Sequence, residues 1–282
     1  MKIQKSFETN HPTLYIVATP IGNLDEMTTR AIETLKAVDV IAAEDTRTTA
    51  KLLNHFSIDT YTISYHKHNE SQSTQGILKL LQEGKSVALV SDAGYPLISD
   101  PGQTLVSEAV KNEFPVVPIS GSSAFINALV VSGIVTQPFS FLGFLENKAS
   151  SIEKQLEPIK KLNHTLIFYL SVHRVEKTLK VVYDLLGNRK IALCRELTKK
   201  HEEIIRGSLE DILNTQLTLK GEFVLVIEGF NQEENLDMDG LMGLIQETIE
   251  NGLSPSRAIS KVAKDQNVSK NELYNYYQNK QQ

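Results

Sequence analysis

Between Leu14 and Ile119 short, mainly apolar runs alternate with amphipathic stretches, and this alternation constrains the fold more than any other feature. "LYIVA" (14–18), "DVIAAE" (39–44), "TYTISYH" (60–66), "SVALVSD" (86–92) and "FPVVPI" (114–119) read as strands. Between them "MTTRAIETLKAV", "TRTTAKLLNHF", "QSTQGILKLLQEG" and "GQTLVSEAVKN" carry helical periodicity, with Ala31, Leu35 and Val38 on one face of the first. A strand that is apolar on both faces must be covered on both. A mainly parallel sheet between helical layers is therefore expected for residues 13–119. A second block, 120–230, opens with the helix "SSAFINALVV". It continues through strands at "FSFLGFL", "TLIFYL", "KIALCREL", "HEEIIRGSL" and "EFVLVIEG", with helices at "SSIEKQLEPIKKL", "HRVEKTLKVVYDLL" and "LEDILNTQ". Neighbouring strands without a helix between them imply antiparallel pairs, so this sheet should be mixed.

After residue 230 the charge pattern changes. Residues 231–250 hold six acids and no Lys or Arg, whereas 251–282 hold five basic residues against two acids. Both pieces read as helical, an acidic linker and a small terminal module. The 282 residues thus suggest two α/β domains and a helical tail. No apolar run reaches the roughly 18 residues of a membrane helix, so no membrane partner is expected. The one cysteine, Cys194, permits no internal disulfide, suits a reducing cytoplasm and reads as a packing residue. A net charge of −5 argues against non-specific polyanion binding, and DNA is not an expected partner. A local basic patch is still compatible with it.

The chemistry-bearing stretches follow the apolar strands. "EGKS" (83–86) lacks the first glycine of a phosphate loop, since Lys79 stands there, and no G-x-G-x-x-G follows a strand. "TPIGNLDEMT" (19–28) makes a stiff turn with Pro20 and Gly22 where ligands of open α/β sheets bind, or an ordinary connection. In "SDAGYPLISDPG" (91–102) Gly94 permits close backbone approach and two prolines stiffen the loop. Asp92 can accept from a ribose or an amino group, and Asp100 can cap the next helix. "PISGSSAF" (118–125) opens a helix whose N–H groups point into the cleft between the blocks, or it is a simple serine cap. "EDTR" places Glu44, Asp45, Thr46 and Arg47 at one strand exit, as an active-site wall or a helix cap. "HKHNE" puts His66, Lys67, His68, Asn69 and Glu70 after the third strand, as a polar, partly basic substrate loop or as solvated loop residues; no Cys or acid stands at metal-ligand spacing from its histidines. Arg195 and Glu196 leave their strand together, as a site pair or a surface ion pair.

In this order "TPIGNL", "AAEDTR", "HNE", "SDAGYPLISDPG", "LIFYLSVHR", "ALCRELTK" and "GEFVLVIEG" resemble the tetrapyrrole methylase superfamily, from about residue 14 to 229. Within it they are similar to the branch that methylates a cytidine 2′-hydroxyl of 16S rRNA. The resemblance implies a two-domain α/β enzyme, usually a homodimer, that binds S-adenosylmethionine between its domains and acts on the decoding region of the 30S subunit. It implies cofactor contacts at Pro20, Gly22, Asp92, Gly94, Tyr95, Ser122, Ser123, Ala124, Tyr169, Leu193 and Phe223. Two departures stand out: Tyr95 where the family writes Thr, and "SGSS" (120–123) where it writes a Pro-Gly-Pro turn.

Methyl transfer from a sulfonium is an in-line displacement, so alignment dominates and a base helps a weak ribose nucleophile. Glu44 and His66 are the favoured base candidates, with Asp45, Glu70 and Glu196 as alternatives. Arg30, Arg47, Lys51 and Lys67 lie at or near the strand exits of the first block. The tail adds Arg257 and Lys261 in a pattern like a helix-turn-helix, or a packing piece; together these are the expected RNA contacts. A tetrapyrrole methyltransferase is the alternative reading, and a non-catalytic RNA-binding module a third.

Overall fold

The computed structural model describes residues 3–6, 11–67, 69–231, 238–266 and 268–281. His68 and the linker acids Glu233, Glu234 and Asp237 lie outside the described residues. The chain forms two compact units, one of residues 1–160 and 164–228, the other of 161–163 and 229–282.

The first unit carries two five-stranded sheets. In the first, β1 (Leu14–Val17), β2 (Val40–Ala43), β3 (Thr62–Ser64), β4 (Val87–Val90) and β5 (Val116–Ile119) alternate with α1 (Thr29–Ala37), α2 (Thr46–His55), α3 (Glu70–Gln82) and α4 (Gln103–Lys111). All pairs are parallel, in the order β3-β2-β4-β1-β5. Every side chain of β2 and β4 is buried, as continuous apolar runs require. One face packs Ala31, Leu35, Leu53 and Val90; the other packs Ile77, Leu81, Leu89 and Leu105. The helix periodicity seen in the sequence thus supplies both outer layers.

The topology also marks a crevice. β1 and β4 are neighbours, yet the chain leaves β1 toward β2 and leaves β4 toward β5, in opposite directions across the sheet. Loops diverging from adjacent strand ends open a gap between them, where ligands of such sheets bind.

The second sheet follows α5 (Ala124–Val131). It contains β6 (Phe139–Phe144), α6 (Ala149–Leu156), β7 (Thr165–Leu170), α7 (Val175–Leu186), β8 (Lys190–Arg195), β9 (Glu203–Ser208), α8 (Leu209–Leu213) and β10 (Phe223–Ile227). Its order is β6-β7-β10-β8-β9; β6 and β7 are parallel and the other pairs antiparallel, the expected mixed sheet. Phe168, Leu193 and Leu225 face one core, while Ile167, Cys194 and Val224 face the other beneath α5, as strand alternation demands.

The second unit holds α9 (Met238–Glu250), α10 (Pro255–Asp265) and α11 (Lys270–Gln281) around Leu241, Ile245, Ile259, Val262 and Leu273. Ser254 and Pro255 start α10 as a cap position and first-turn proline. No helix among the described residues is long and apolar enough to cross a membrane.

Asp100 does not cap α4, contrary to the expectation from the sequence. The cap position is Gly102, at φ 138°, and no side chain bonds there. A Cβ at Gly102 would sit 2.9 Å from Leu89 Cδ2 and 3.0 Å from Leu97 Cδ1. Gly102→Ala is expected to destabilise the protein by about 1–3 kcal/mol, through backbone strain and overpacking together. Urea denaturation of the purified variant checks this.

Candidate active site

The exits of β1, β2 and β4 are laced together. Thr19 N–H donates to Gly94 O at 2.8 Å, and Gly94 N–H donates back to Thr19 O at 3.0 Å. The Thr19 hydroxyl adds a bond to Ser91 O at 3.1 Å. Gly94 holds φ 75°, a left-handed conformation that favours glycine. From the β2 exit, Asp45 N–H donates to Asp92 Oδ1 at 3.3 Å.

These loops form one wall of a cavity of about 320 Å³. The strand ends of the second sheet, Tyr169, Leu170, Phe223 and Val224, form the other. Its volume lies in the range of small-molecule sites. Glu44, Asp92 and Asp100 converge in it, and its lining contains no Lys or Arg. Burial and then the Asp92 charge raise the pKa of Glu44 above the usual carboxylate value. Loss of solvent raises Asp92 as well. Asp100 is pushed up to about 6, first by burial and then by the Glu44 charge. Tyr169 is fixed edge-on by Phe141 and Phe144, at centroid distances of 4.9 and 5.3 Å. Burial pushes its phenol up to about 12, so it stays protonated at neutral pH.

The cavity gathers much of the expected cofactor set: Asp92, Gly94, Tyr95, Ser123, Ala124, Tyr169 and Phe223. Ser122 lies just beside it, its hydroxyl bonded to Glu26. Pro20 and Gly22 line an adjoining cleft. Leu193 is fully packed in the core with Phe168 and Leu225, outside the lining. The two departures from the family pattern meet here: the Tyr95 hydroxyl accepts the Gly121 N–H at 3.2 Å. The bulkier side chain thus holds the turn that lacks the prolines.

Of the base candidates, Glu44 alone lines the cavity. Asp45 caps α2, and its bonds to Arg47 hold its carboxyl down at about 2. Glu196 accepts from Lys199 Nζ at 2.9 Å and from Glu222 N–H at 3.0 Å, and the Lys199 bond holds its pKa low. Lys199 also bonds Glu222 at 2.9 Å, and its side chain lies where a Cβ on Gly22 would go. Arg195 pairs with Glu203 at 2.8 Å, not with Glu196. His66 is half-buried outside the cavity lining, its backbone N–H bonded to Asn69 Oδ1 at 2.8 Å. Glu70 Oε1 accepts from the buried Tyr65 hydroxyl at 3.3 Å and from Gly102 N–H at 3.2 Å, a clamp between α3 and the end of the 91–102 loop. Arg30, Arg47, Lys51 and Lys67 are exposed on the first unit, and Arg257 and Lys261 on α10 of the second.

Sequence reasoning gave Asp100 a different role and missed Glu222 and Ile98 in the lining. A usable signal for Asp100 was present: in "SDPGQ" the glycine two residues later is the residue able to start α4 with positive φ, which frees Asp100 to face inward.

A protein-family model for Tetrapyrrole (Corrin/Porphyrin) Methylases matches residues 13–213. The chain belongs to this family. This methylase is similar over nearly its whole length to proteins named ribosomal RNA small subunit methyltransferase I. The one from Halalkalibacterium halodurans is 46% identical, covering 98% of this chain and 99% of the relative. Those from Bacillus subtilis and Synechocystis are 46% and 45% identical, covering 95% and 93% of this chain and 94% and 95% of theirs. Among solved structures, a diphthine synthase superposes with a TM-score of 0.61 at 12% identity, covering 77% of this chain and 89% of its own. Uroporphyrin-III-C-methyltransferase from Thermus thermophilus gives 0.55 at 18% identity, covering 77% and 94%. At such identities the methylase shares their fold.

Two expected outcomes follow from the carboxylates. Because Asp100 binds its proton more tightly folded than unfolded, ionising it costs stability as pH rises from about 4 to about 6. Asp100→Asn should therefore stabilise the ligand-free methylase at pH 8 by about 1 kcal/mol, after allowance for screening in a half-open site, and give no such gain at pH 4. Denaturation curves at the two pH values check this. Glu70→Ala should cost about 1–3 kcal/mol by orphaning the Tyr65 hydroxyl and Gly102 N–H, whereas Glu70→Gln, which keeps an acceptor, should retain both stability and activity. An inactive but stable Glu70→Gln would instead mark Glu70 as a base.

Proposed function

We propose that the carboxylate cavity binds S-adenosylmethionine and that the chain methylates the 2′-hydroxyl of a cytidine in the decoding region of 16S rRNA. In this reading residues 13–119 and 120–230 act as the two domains of one enzyme. The observation that carries it is the lining: Glu44, Asp92 and Asp100 opposite a wall of Tyr169, Leu170, Phe223 and Val224, with Glu222 beside that wall and no Lys or Arg. Sulfonium and α-amino groups are cations, so Glu44, Asp92 and Asp100 suit them. α5 starts at Ser123 without a side-chain cap, so its first-turn N–H groups are available to a carboxylate. Tyr169, Phe223 and Val224 offer an apolar surface to an adenine. Bound there, S-adenosylmethionine supplies an electrophilic methyl group.

Glu44 is the residue placed to take the proton of an incoming hydroxyl, since it reaches the cavity and its raised pKa makes it a better base. His66 lies outside the lining, on the loop after β3, and serves substrate binding in this reading. The exposed cations Arg30, Arg47, Lys67, Arg257 and Lys261 suit an RNA backbone. The named relatives support ribosomal RNA as the substrate. A cytoplasmic homodimer fits the same reading. Val130, Val135 and Phe139 are exposed around α5 and the edge strand β6, a surface that a second copy would cover.

The test is transfer of labelled methyl from S-adenosylmethionine to 30S subunits lacking the modification, with a tetrapyrrole precursor in parallel. Label in a ribose of the decoding region is expected; label in the tetrapyrrole alone, or in neither, would overturn the reading. In single turnover Glu44→Gln should slow transfer by about 10²–10⁴-fold. His66→Ala should slow it much less. An unchanged rate in Glu44→Gln would sink its assignment as base.

A further inference from the structure

A second cleft of about 220 Å³ opens beside the carboxylate cavity and shares Asp92 with it. Thr19, Pro20 and Gly22 from the β1 exit form one side; Thr48, Lys51 and Leu52 of α2 form the other. Its character is opposite to that of the cavity next door, with hydroxyls and an ammonium in place of clustered carboxylates.

Lys51 is the feature that points to a ligand. Lys111, Lys160 and Lys180 each sit beside a carboxylate three or four residues away. α2 carries no Asp or Glu, and Lys51 makes no ion pair among the described residues. Arg47, one turn earlier, is held by its own cap residue Asp45 at 2.8 Å. An unpaired ammonium beside the exposed Thr48 hydroxyl in a cleft is chemistry suited to a phosphate.

We propose that this cleft receives the target nucleotide of the RNA. Lys51 and Thr48 take its phosphate, and the stiff Pro20–Gly22 turn bears on its sugar. Asp92 stands between that sugar and the neighbouring cavity. The proposal rests on reading that cavity as the methyl-donor site, because a transferase needs its two ligands in adjoining spaces. A third cavity also adjoins the first, sharing Tyr95, Ile98 and Ser123, but Phe125 and Ile126 line it and no cation does. It suits a phosphate poorly. One ammonium in a small cleft fits one phosphate, whereas an acid with several carboxylates would call for several cations.

The experiment uses the full chain, 30S subunits lacking the modification and labelled S-adenosylmethionine, over a series of salt concentrations. Lys51→Ala and Lys51→Gln should raise KM for the subunit about tenfold and lower the slope of log affinity against log salt by about 0.7–0.9, the signature of one lost phosphate contact. Lys51→Arg should restore both. The affinity for S-adenosylmethionine alone should be the same in all four proteins. If the wild type methylates the subunit and both neutral variants keep its KM and salt slope, the cleft is not the nucleotide site and the donor-site reading stands. If the wild type transfers no methyl to the subunit, both fall together.

Discussion

Thr19 and Gly94 exchange both of their backbone hydrogen bonds, and the arrangement of the first sheet's carboxyl edge depends on that exchange. The two residues lie just past neighbouring parallel strands whose chains then part in opposite directions. Without a tie, the gap between them would be lined by two independent loops. The reciprocal pair, with the Thr19 hydroxyl on Ser91 O, turns them into one rigid rim. Asp45 N–H reaches the same rim through Asp92 and brings the third strand exit into register. Glu70 secures the far end of the loop by holding Gly102 N–H. A ligand entering this edge finds groups already ordered and need not spend its binding energy on arranging them.

The same rim concentrates negative charge. Burial raises the pKa of Glu44, Asp92 and Asp100 alike; the Asp92 charge adds to it at Glu44, and the Glu44 and Asp92 charges add to it at Asp100, so the folded protein holds a repulsion that the unfolded chain escapes. Such an arrangement trades stability for a prepared site. The nearby lysine does not relieve it. Burial alone would depress the Lys199 ammonium, but its bonds to Glu196 and Glu222 outweigh that and keep it charged and engaged. A cation arriving from solution is left as the natural partner for the three carboxylates.

The sheets were legible because burial on two faces writes itself as continuous apolar strands, and β2 and β4 are buried at every position. The mixed second sheet was legible from strands that follow each other without a helix. The loops that form the cavity could be located because they follow those strands. What each side chain does there was harder to read, since it depends on partners distant in sequence. Glu70 looks like its neighbours in "HKHNE" until Gly102, 32 residues on, is seen to donate to it. Arg195 and Glu196 look like a pair, yet Arg195 is the last residue of β8 and Glu196 turns away from it at φ 51°, and each finds its partner elsewhere. Leu193 is packed away by strand alternation: one step from Cys194 in β8, it lies on the other face of the sheet. Tyr95 and the turn 120–123 depart separately from the family pattern, and only the bond from Gly121 N–H to the Tyr95 hydroxyl shows that the departures belong together.

Gly22 and Lys199 sit on different sheets and 177 positions apart, yet the lysine stem fills the space that a side chain at position 22 would need. Gly221 stands in the same relation to Glu196, whose carboxylate the lysine holds. The four residues therefore form one unit of inheritance. A lineage that lengthens either glycine must reroute the charged pair and also bear the strain of a side chain at positive φ, so the two constraints reinforce each other. Drift at the turn after β1 is thus constrained from the other sheet, by a side chain that lines neither cavity.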